Sequence, residues 1–185
     1  MTNLPLDMKA DKTLFVAISA DPAISNEKIQ IVKNAVLSNH TFTKDGKKFY
    51  EGWQGALKES KHDTRYFMPE NLKIVNFNDD HIKVIITLTT SKSDLGYDGY
   101  TSFIQYHKMM ESVHVVIYQA DTLTNDDLAG IMRHEFGHAL GLGHSSSPSN
   151  LMYQDVDGRL AFISEENIDA LSALYSGKIL SQYSE

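Results

Sequence analysis

A short segment in the last third of the chain contains three histidines and a glutamate at spacings that suit metal chemistry. The segment is "HEFGHALGLGH" and covers residues 134–144. Residues four apart in a helix lie on one face about one turn apart, so His134 and His138 can present both imidazoles to one ion. Glu135 lies about 100° further round the helix. Its carboxylate would flank the ion, a position that suits a base acting on a metal-bound water.

Two glycines, Gly141 and Gly143, follow the second histidine. Glycine adopts the left-handed conformation without a Cβ clash, so the helix can end here and the chain can turn back. In a continued helix, His144 would lie about 9 Å further along the axis than His138. The turn would instead bring His144 towards the same ion as a third ligand.

The extended pattern is far more specific than its first half. With this composition, H-E-x-x-H is expected by chance in roughly one or two chains in a hundred, and adding Gly141 and His144 lowers that to roughly a few in a hundred thousand. The alternative is an amphipathic helix whose histidines are ordinary polar groups. Gly137 argues against this alternative, because a glycine inside a helix costs about 1 kcal/mol relative to alanine and usually has a packing reason.

Composition and charge limit the classes of protein to which the chain can belong. It has 185 residues, 42% of them hydrophobic and 22% charged, which predicts one globular domain over residues 1–185 and, we expect, a monomer. The net charge of −7 argues against nucleic acid as a partner, since phosphate binding needs a basic surface. No apolar run reaches the roughly 18 residues of a membrane span, and no signal peptide is visible. The absence of cysteine excludes disulfides and thiolate ligands.

Hydrophobic periodicity predicts strands and helices in an order typical of an α+β domain built on one sheet. Trp53 is expected to be a core anchor. Residues 39–46 are expected to form a loop with a turn at Asp45-Gly46, and residues 91–99 a polar, glycine-containing loop. The predicted strands cover residues 14–19, 71–77, 82–88, 100–106 and 112–119; the predicted helices cover about 24–38, Phe49 to Leu57, Thr124 to about Leu140, and the residues after Ser164.

Several of these segments resemble one family of enzymes. Residues 134–144 resemble the extended zinc signature of metzincin peptidases, and "SNLMY" at 149–153 resembles the methionine-turn that follows it in that clan. Ser145 directly after the third histidine, and Met152 eight residues past His144, are similar to matrixins, the subgroup that includes the matrix metalloproteinases. "NIDALSALYSG" at 167–177 resembles the closing helix of that subgroup.

The resemblance implies a fold in two subdomains with a cleft between them. The upper subdomain, about 13–141, would contain a twisted five-stranded mixed sheet with backing helices and the zinc helix. The lower, about 142–185, would be small and C-terminal and would end in the closing helix. The edge strand near Tyr100–Ile104 would pair with an extended protein or peptide substrate. Relatives are mostly secreted, which implies an extracellular location.

The resemblance also implies a zinc-dependent endopeptidase, in which Glu135 activates a zinc-bound water for hydrolysis of the peptide bond. Met152 would form an apolar floor beneath the histidines, Gly141 would support the site, and Tyr153 could line the cleft. The zinc ligands implied are His134, His138 and His144. Zinc binds neutral imidazoles, so metal and activity are expected to fall as the pH drops through about 6. An apolar side chain is expected just after the cleaved bond, because four apolar residues lie near the expected wall: Leu151, Met152, Val156 and Leu160.

The sequence departs from the matrixin pattern at several positions. Gln154 stands where proline usually follows the methionine-turn tyrosine, and Glu166 and Asn167 stand at the usual aspartate pair, so the buried N-terminal salt bridge of some relatives is not expected. The loop that carries a second, structural zinc in many animal matrixins has no histidine here, which predicts one zinc ion per chain. The alternative is a long-range second site formed by His81, His107, His114 and an aspartate. Asp94 and Asp98 in that loop could hold calcium.

Two alternatives remain open. A zinc-bearing binding or regulatory module without catalytic activity would have the same ligands, although loss of Glu135 would be its expected mark. A metallopeptidase with a downstream glutamate as third ligand would use Glu165 or Glu166, and Gly141 and His144 argue against that assignment.

Overall fold

The computed structural model describes residues 3–60, 64–154 and 162–178, together with the backbone of 183–184. Helices and strands alternate along these residues, and the longest helix, α3, follows the last strand of the main sheet. In chain order the elements are β1 (Thr13–Ala20), α1 (Asn26–Leu37), β2 (Thr41–Lys44), β3 (Lys47–Tyr50), α2 (Trp53–Lys58), β4 (Asn71–Val75), β5 (Ile82–Leu88), β6 (Gly99–Tyr106), β7 (Met109–Ile117), α3 (Asn125–Ala139), β8 (His144–Ser145), β9 (Ile163–Ser164), α4 (Glu165–Tyr175) and β10 (Tyr183–Ser184).

The main sheet is mixed and has five strands in the order β4-β1-β5-β7-β6. Neighbouring strands are parallel except β6, which runs antiparallel to β7 and forms one edge. Side chains on one sheet face are buried at every second position, as period-two strands require. On the two central strands these positions are Val84, Ile86, Leu88, Val113, Val115 and Ile117. The α+β class and the five-stranded mixed sheet predicted from the sequence are confirmed.

Residues 39–50 differ from the sequence prediction. A hairpin, β2–β3, replaces the predicted loop, and the helix predicted from Phe49 begins only at Trp53. The predicted turn lies at the tip of this hairpin, where Asp45 and Gly46 both have positive φ, at 50° and 75°. Two such residues suit the tight turns that match the twist of a hairpin. The apolar run from Phe49 is too short for its periodicity to separate strand from helix.

The hairpin also contacts the C-terminal part of the chain. Strand β3 pairs with β9, which lies directly before α4. The ring of Phe42 meets the ring of Phe162 edge to face at a centroid distance of 4.7 Å, a favourable aromatic geometry. The hairpin therefore helps to fix the start of the last helix.

Trp53 anchors α2 against the helix that contains the histidine motif. Its side chain is fully buried, as expected, and its Nε1 donates a hydrogen bond to the carbonyl oxygen of Arg133 at 2.8 Å. Arg133 directly precedes His134, so this contact fixes α3 next to the first histidine. No helix among the described residues is long and apolar enough to cross a membrane.

Candidate active site

The helix α3 begins at a side-chain cap and ends at a glycine. Thr124 caps its first turn, where the Oγ1 accepts a hydrogen bond from the backbone N–H of Asp127 at 3.1 Å. After Ala139 the chain leaves the helix, and Gly141 adopts a φ of +107° that favours glycine. From Gly130 onwards every residue of α3 is buried, so the helix lies in the centre of the fold.

The structure brings the three motif histidines together. The Nε2 atom of His138 lies 3.1 Å from Nε2 of His134 and 3.2 Å from Nε2 of His144. Two atoms bound to one tetrahedral zinc at about 2.1 Å would lie about 3.4 Å apart, close to both distances. Among the described residues, these three form the one cluster of histidine, aspartate or glutamate side chains that could hold a metal ion.

Backbone carbonyls fix the orientation of two of the rings. The Nδ1 atoms of His134 and His138 lie 2.8 Å and 2.7 Å from the carbonyl oxygens of Leu151 and Leu142. A carbonyl oxygen only accepts, so each Nδ1 carries the proton and donates. Each Nε2 is therefore the unprotonated nitrogen, directed at the common point, which is the arrangement of a metal ligand oriented by a hydrogen-bonded neighbour.

Burial keeps these imidazoles neutral. It lowers the pKa of His134 to about 4, partly opposed by the hydrogen bond to Leu151. It also lowers the pKa of His138 well below its ordinary value, and that of the half-buried His144 to a smaller extent. Neutral imidazole is the form that binds a metal. The donor set thus fits zinc in both geometry and protonation.

The N-terminal segment holds the turn that returns the chain to His144. A Cβ at Gly141 would collide with the carbonyl oxygen of Leu4, so only glycine fits beside this segment. Two residues later, the backbone N–H of Gly143 donates to Oδ1 of Asn3 at 2.7 Å. The close approach of Leu4 explains why residue 141 is a glycine more fully than the end of the helix does.

Met152 packs beneath α3, next to the glycine inside that helix. It is fully buried, and a Cβ at Gly137 would collide with its Sδ atom. The turn that contains Met152 is tied to the residue after His144, because the backbone N–H of Ser145 donates to the Met152 carbonyl oxygen at 2.7 Å.

The same turn is also tied to α4. The Nδ2 of Asn167 donates to Oδ1 of Asn150 at 2.8 Å. Asn167 is fully buried and holds the methionine-turn from the position where the resemblance has an aspartate.

Glu135 lies beside the histidine cluster with its carboxylate enclosed. The side chain is 7% exposed, and burial raises its pKa to about 7 although a hydrogen bond opposes the shift. That bond comes from Thr101 on β6, whose Oγ1 donates to Oε2 at 2.6 Å. A carboxyl group with a pKa near neutrality can both accept and release a proton at physiological pH.

A cavity of about 540 Å³ opens in front of the cluster. Strand β6 forms one wall, and Gln154 lines the cavity where Tyr153 was expected. Leu151 and Met152 are buried in the core and do not line it, whereas Val156 and Leu160 lie outside the described residues. The lining residues are Tyr97, Gly99, Tyr100, Thr101, Ser102, Phe103, His134, Glu135, His138, His144 and Gln154.

The sequence predicts β6 as the edge strand that pairs with substrate, but it does not predict that this strand encloses Glu135. Gly99 and Thr101 enclose the Glu135 side chain; the first is the last residue of the predicted loop and the second lies in the predicted substrate-pairing strand. Their alternate positions on one strand face were the available signal, but nothing local connects them to a helix 34 residues away.

Other candidate ligands lie outside the cluster. Glu166 accepts a hydrogen bond from Asn150 Nδ2 at 3.3 Å at the start of α4, and it is not a member of the metal-binding group. The Nδ1 of His81 lies 3.0 Å from Asp79, and Nε2 of His114 lies 2.9 Å from the hydroxyl of Thr87. A calcium ion in the loop before β6 stays a prediction, as does the count of one zinc.

Comparisons with known proteins agree with this site. The Matrixin family model matches residues 91–176, from the loop before β6 to the end of α4. Human matrix metalloproteinase-25 is 43% identical over 54 residues, 26% of this chain and 10% of that protein. Human neutrophil collagenase is 40% identical over 58 residues, 30% of this chain and 12% of that protein. The matches thus span only about a tenth of these relatives.

A solved structure extends the likeness to the rest of the fold. The archaemetzincin of Methanopyrus kandleri superposes with a TM-score of 0.57 over 90% of this chain and 97% of its own, at 12% identity. At that identity the likeness concerns the architecture, which is the metzincin one. The chain is therefore similar to metzincin zinc metallopeptidases in three respects: the matrixin match over residues 91–176, the architecture, and the cluster of His134, His138 and His144.

Proposed function

We propose that the protein is a zinc-dependent endopeptidase. The observation that carries the proposal is the convergence of the three histidine Nε2 atoms beside the Glu135 carboxylate, in a cavity that opens along an edge strand. His134, His138 and His144 would hold the ion. Zinc, when bound, supplies Lewis-acid chemistry that polarises the peptide carbonyl and makes a water molecule more acidic.

Glu135 would carry the proton during hydrolysis. Its carboxylate would accept a proton from the attacking water and then donate it to the nitrogen of the leaving amine. Burial of the carboxyl group supports this role, because it raises the pKa to about 7. At that pKa the group can accept a proton from water and release it again. Met152 and Gly141 would support the ligands from below and from the turn.

The substrate would be an extended segment of a protein or peptide. No described strand pairs with the outer edge of β6, so its backbone N–H and C=O groups are available for pairing along the cavity. The proposal includes a division into an upper subdomain, about 13–141, and a lower one, about 142–185, with the substrate between them. It also includes a monomer and the extracellular location that the resemblance implies.

The test compares zinc content and hydrolysis in matched variants. Glu135→Gln should retain zinc but hydrolyse an unfolded protein roughly 100- to 10,000-fold more slowly than wild type, because it removes only the proton carrier. Zinc is measured by elemental analysis of gel-filtered protein. Glu165→Gln, at an exposed position on α4, is the control and should retain both zinc and activity.

Each contrary result has a separate meaning. Equal turnover in wild type and Glu135→Gln would show that the base lies elsewhere. Full zinc content with no hydrolysis by wild type or by either variant would favour the catalytically silent zinc-bearing module. Loss of zinc in Glu165→Gln would support a glutamate as third ligand.

A further inference from the structure

The carboxylate of Glu135 is held from the side by the first residues of β6. The hydroxyl of Thr101 lies 2.6 Å from Oε2 and 3.1 Å from the backbone carbonyl oxygen of Glu135. A hydroxyl has one proton to donate, and the shorter distance and the charge of the carboxylate assign it to Oε2. Thr101 is only 2% exposed, so water does not compete freely for this bond.

Gly99 encloses the other side of the same carboxylate. A Cβ at this position would lie 2.7 Å from both Cγ and Oε1 of Glu135, and 2.8 Å from Cγ2 of Ile131. Any larger residue at position 99 would therefore displace the glutamate or the helix. Residues 99 and 101 lie on the same face of β6 because strand side chains alternate. Together they form a clamp, which we define as Gly99 and Thr101.

A glutamate needs such support to act as a directed proton carrier. Its terminal torsion is broad and roughly two-fold, so rotation of the carboxylate alone costs little. With Oε2 held by Thr101, the free Oε1 keeps one direction relative to the histidine cluster. A displacement of about 1 Å in a catalytic group can cost about 100-fold in rate.

We propose that Thr101 is a positioning residue: its hydroxyl fixes the orientation of the Glu135 carboxylate, with Gly99 providing the space for it. This inference rests on the proposed function for its kinetic consequences. The competing explanation is that Thr101 only ties β6 to α3, in which case its loss would lower stability without a specific effect on turnover.

Three threonine variants separate the two explanations. Thr101→Val keeps the shape and removes the hydroxyl, and Thr101→Ser keeps the hydroxyl. Thr87→Val is the matched control, because the Thr87 hydroxyl also pairs with a side chain, His114, but on β5 and away from the cavity. We expect Thr101→Val to retain zinc and lower kcat roughly 10- to 100-fold with KM changed by less than about twofold. Thr101→Ser should restore most of the rate, and Thr87→Val should match wild type.

A second measurement removes the ambiguity of a folding defect. In the Glu135→Gln background, Thr101→Val should change the residual rate by no more than about twofold, because residues that act as a unit are non-additive. A purely structural role predicts instead the same fold-loss in both backgrounds. Equal losses, or a normal kcat in stable Thr101→Val, would overturn the proposal.

A crystal structure of Thr101→Val tests the orientation directly. The expected result is a Glu135 carboxylate that is rotated or present in more than one conformer. An unchanged single orientation would overturn the positioning role, whatever the activity. If wild type and Glu135→Gln prove equally inactive, the proposed function fails separately, and this structural result still decides the role of Thr101.

Discussion

The protonation of the ligand histidines is set by their burial before any ion is bound. In the metal-free protein the pKa of His134 is about 4, whereas an exposed histidine in the unfolded chain titrates near about 6.5. Between these values the unfolded chain binds a proton that the folded protein excludes. The stabilising contribution is therefore complete above about pH 6.5 and is lost as the pH falls towards about 4. His138 and His144 shift in the same direction.

Glu135 contributes to stability with the opposite sign. Its pKa is raised to about 7, so the folded protein retains a proton that an unfolded glutamate releases near about 4.3. The contribution of Glu135 to the free energy of unfolding is complete below about pH 4.3 and is lost as the pH rises through about 7. Between about pH 4.3 and pH 6.5 the effect of Glu135 on the free energy of unfolding opposes the effect of the histidines. The histidine effect is therefore best measured in a variant that lacks the Glu135 carboxylate.

The histidine prediction therefore concerns metal-free Glu135→Gln. The pKa shift of His134 alone should lower this variant's free energy of unfolding by on the order of 3 kcal/mol between pH 7 and pH 4, with most of the loss below about pH 6.5. Denaturant titrations at a series of pH values measure this fall. Adding His134→Gln should make the free energy of unfolding depend less steeply on pH. An unchanged pH dependence would show that His134 is not protonated on unfolding. By the same shift, loss of zinc should move below the pH of about 6 that was expected from the sequence.

The residues of the site differ in how well the sequence could predict them. His134, Glu135 and His138 were predictable because one helix fixes their relative positions. His144 was predictable because the glycines before it indicate a sharp turn. Thr101 was not, because its contact with Glu135 depends on how β6 packs against α3, and tertiary packing leaves no local pattern in the sequence.

Among the elements, the packing of α3 on the methionine-turn explains why Gly137 lies inside a helix although glycine has a low helix propensity. Gly137 costs α3 about 1 kcal/mol relative to alanine, yet its missing side chain is the space that Met152 fills. The carbonyl of Leu151, directly before Met152, accepts the Nδ1–H of His134. A displaced methionine would therefore also disturb the first ligand.

Gly137→Ala should destabilise the protein by about 1–3 kcal/mol despite the better helix propensity of alanine, because overpacking outweighs it. Thermal or denaturant unfolding measures the change. In the Met152→Val background, which lacks the Sδ and Cε atoms, the same substitution should cost much less. A gain in stability from Gly137→Ala alone would show that the contact with Met152 does not constrain this position.

The secondary structure was predictable to a different extent in the main sheet and in the hairpin β2–β3. Strands β1, β5 and β7 of the main sheet have 8, 7 and 9 residues, several of them β-branched, and the five-strand prediction is confirmed. The hairpin β2–β3 was missed because its strands have four residues each and gain their stability from β9, more than a hundred residues later. The turn at Asp45-Gly46 was the one local signal of that hairpin.

At the scale of the whole molecule, the two ends of the described chain meet behind the histidine turn. Tyr175, at the end of α4, is fully buried. Its hydroxyl accepts a hydrogen bond from the backbone N–H of Leu6 at 3.1 Å and donates one to the carbonyl oxygen of Leu140 at 3.1 Å. One side chain thus joins the N-terminal segment, the end of α3 and the last helix. Burial raises the pKa of this phenol far above its ordinary value, so it stays a donor at every physiological pH.

Tyr175→Phe should destabilise the protein by about 1–3 kcal/mol, because the substitution leaves a buried N–H and a buried carbonyl without their partner. The denaturant midpoint should fall with an unchanged slope, since the surface exposed on unfolding stays the same. Tyr106→Phe, at a position that is 67% exposed, is the matched control and should change stability by less than about 0.5 kcal/mol. Because Leu4 and Asn3 contact Gly141 and Gly143, the loosened N-terminal segment should also release zinc faster to a chelator. Normal zinc release with the expected loss of stability would show that the third ligand is held by the turn alone.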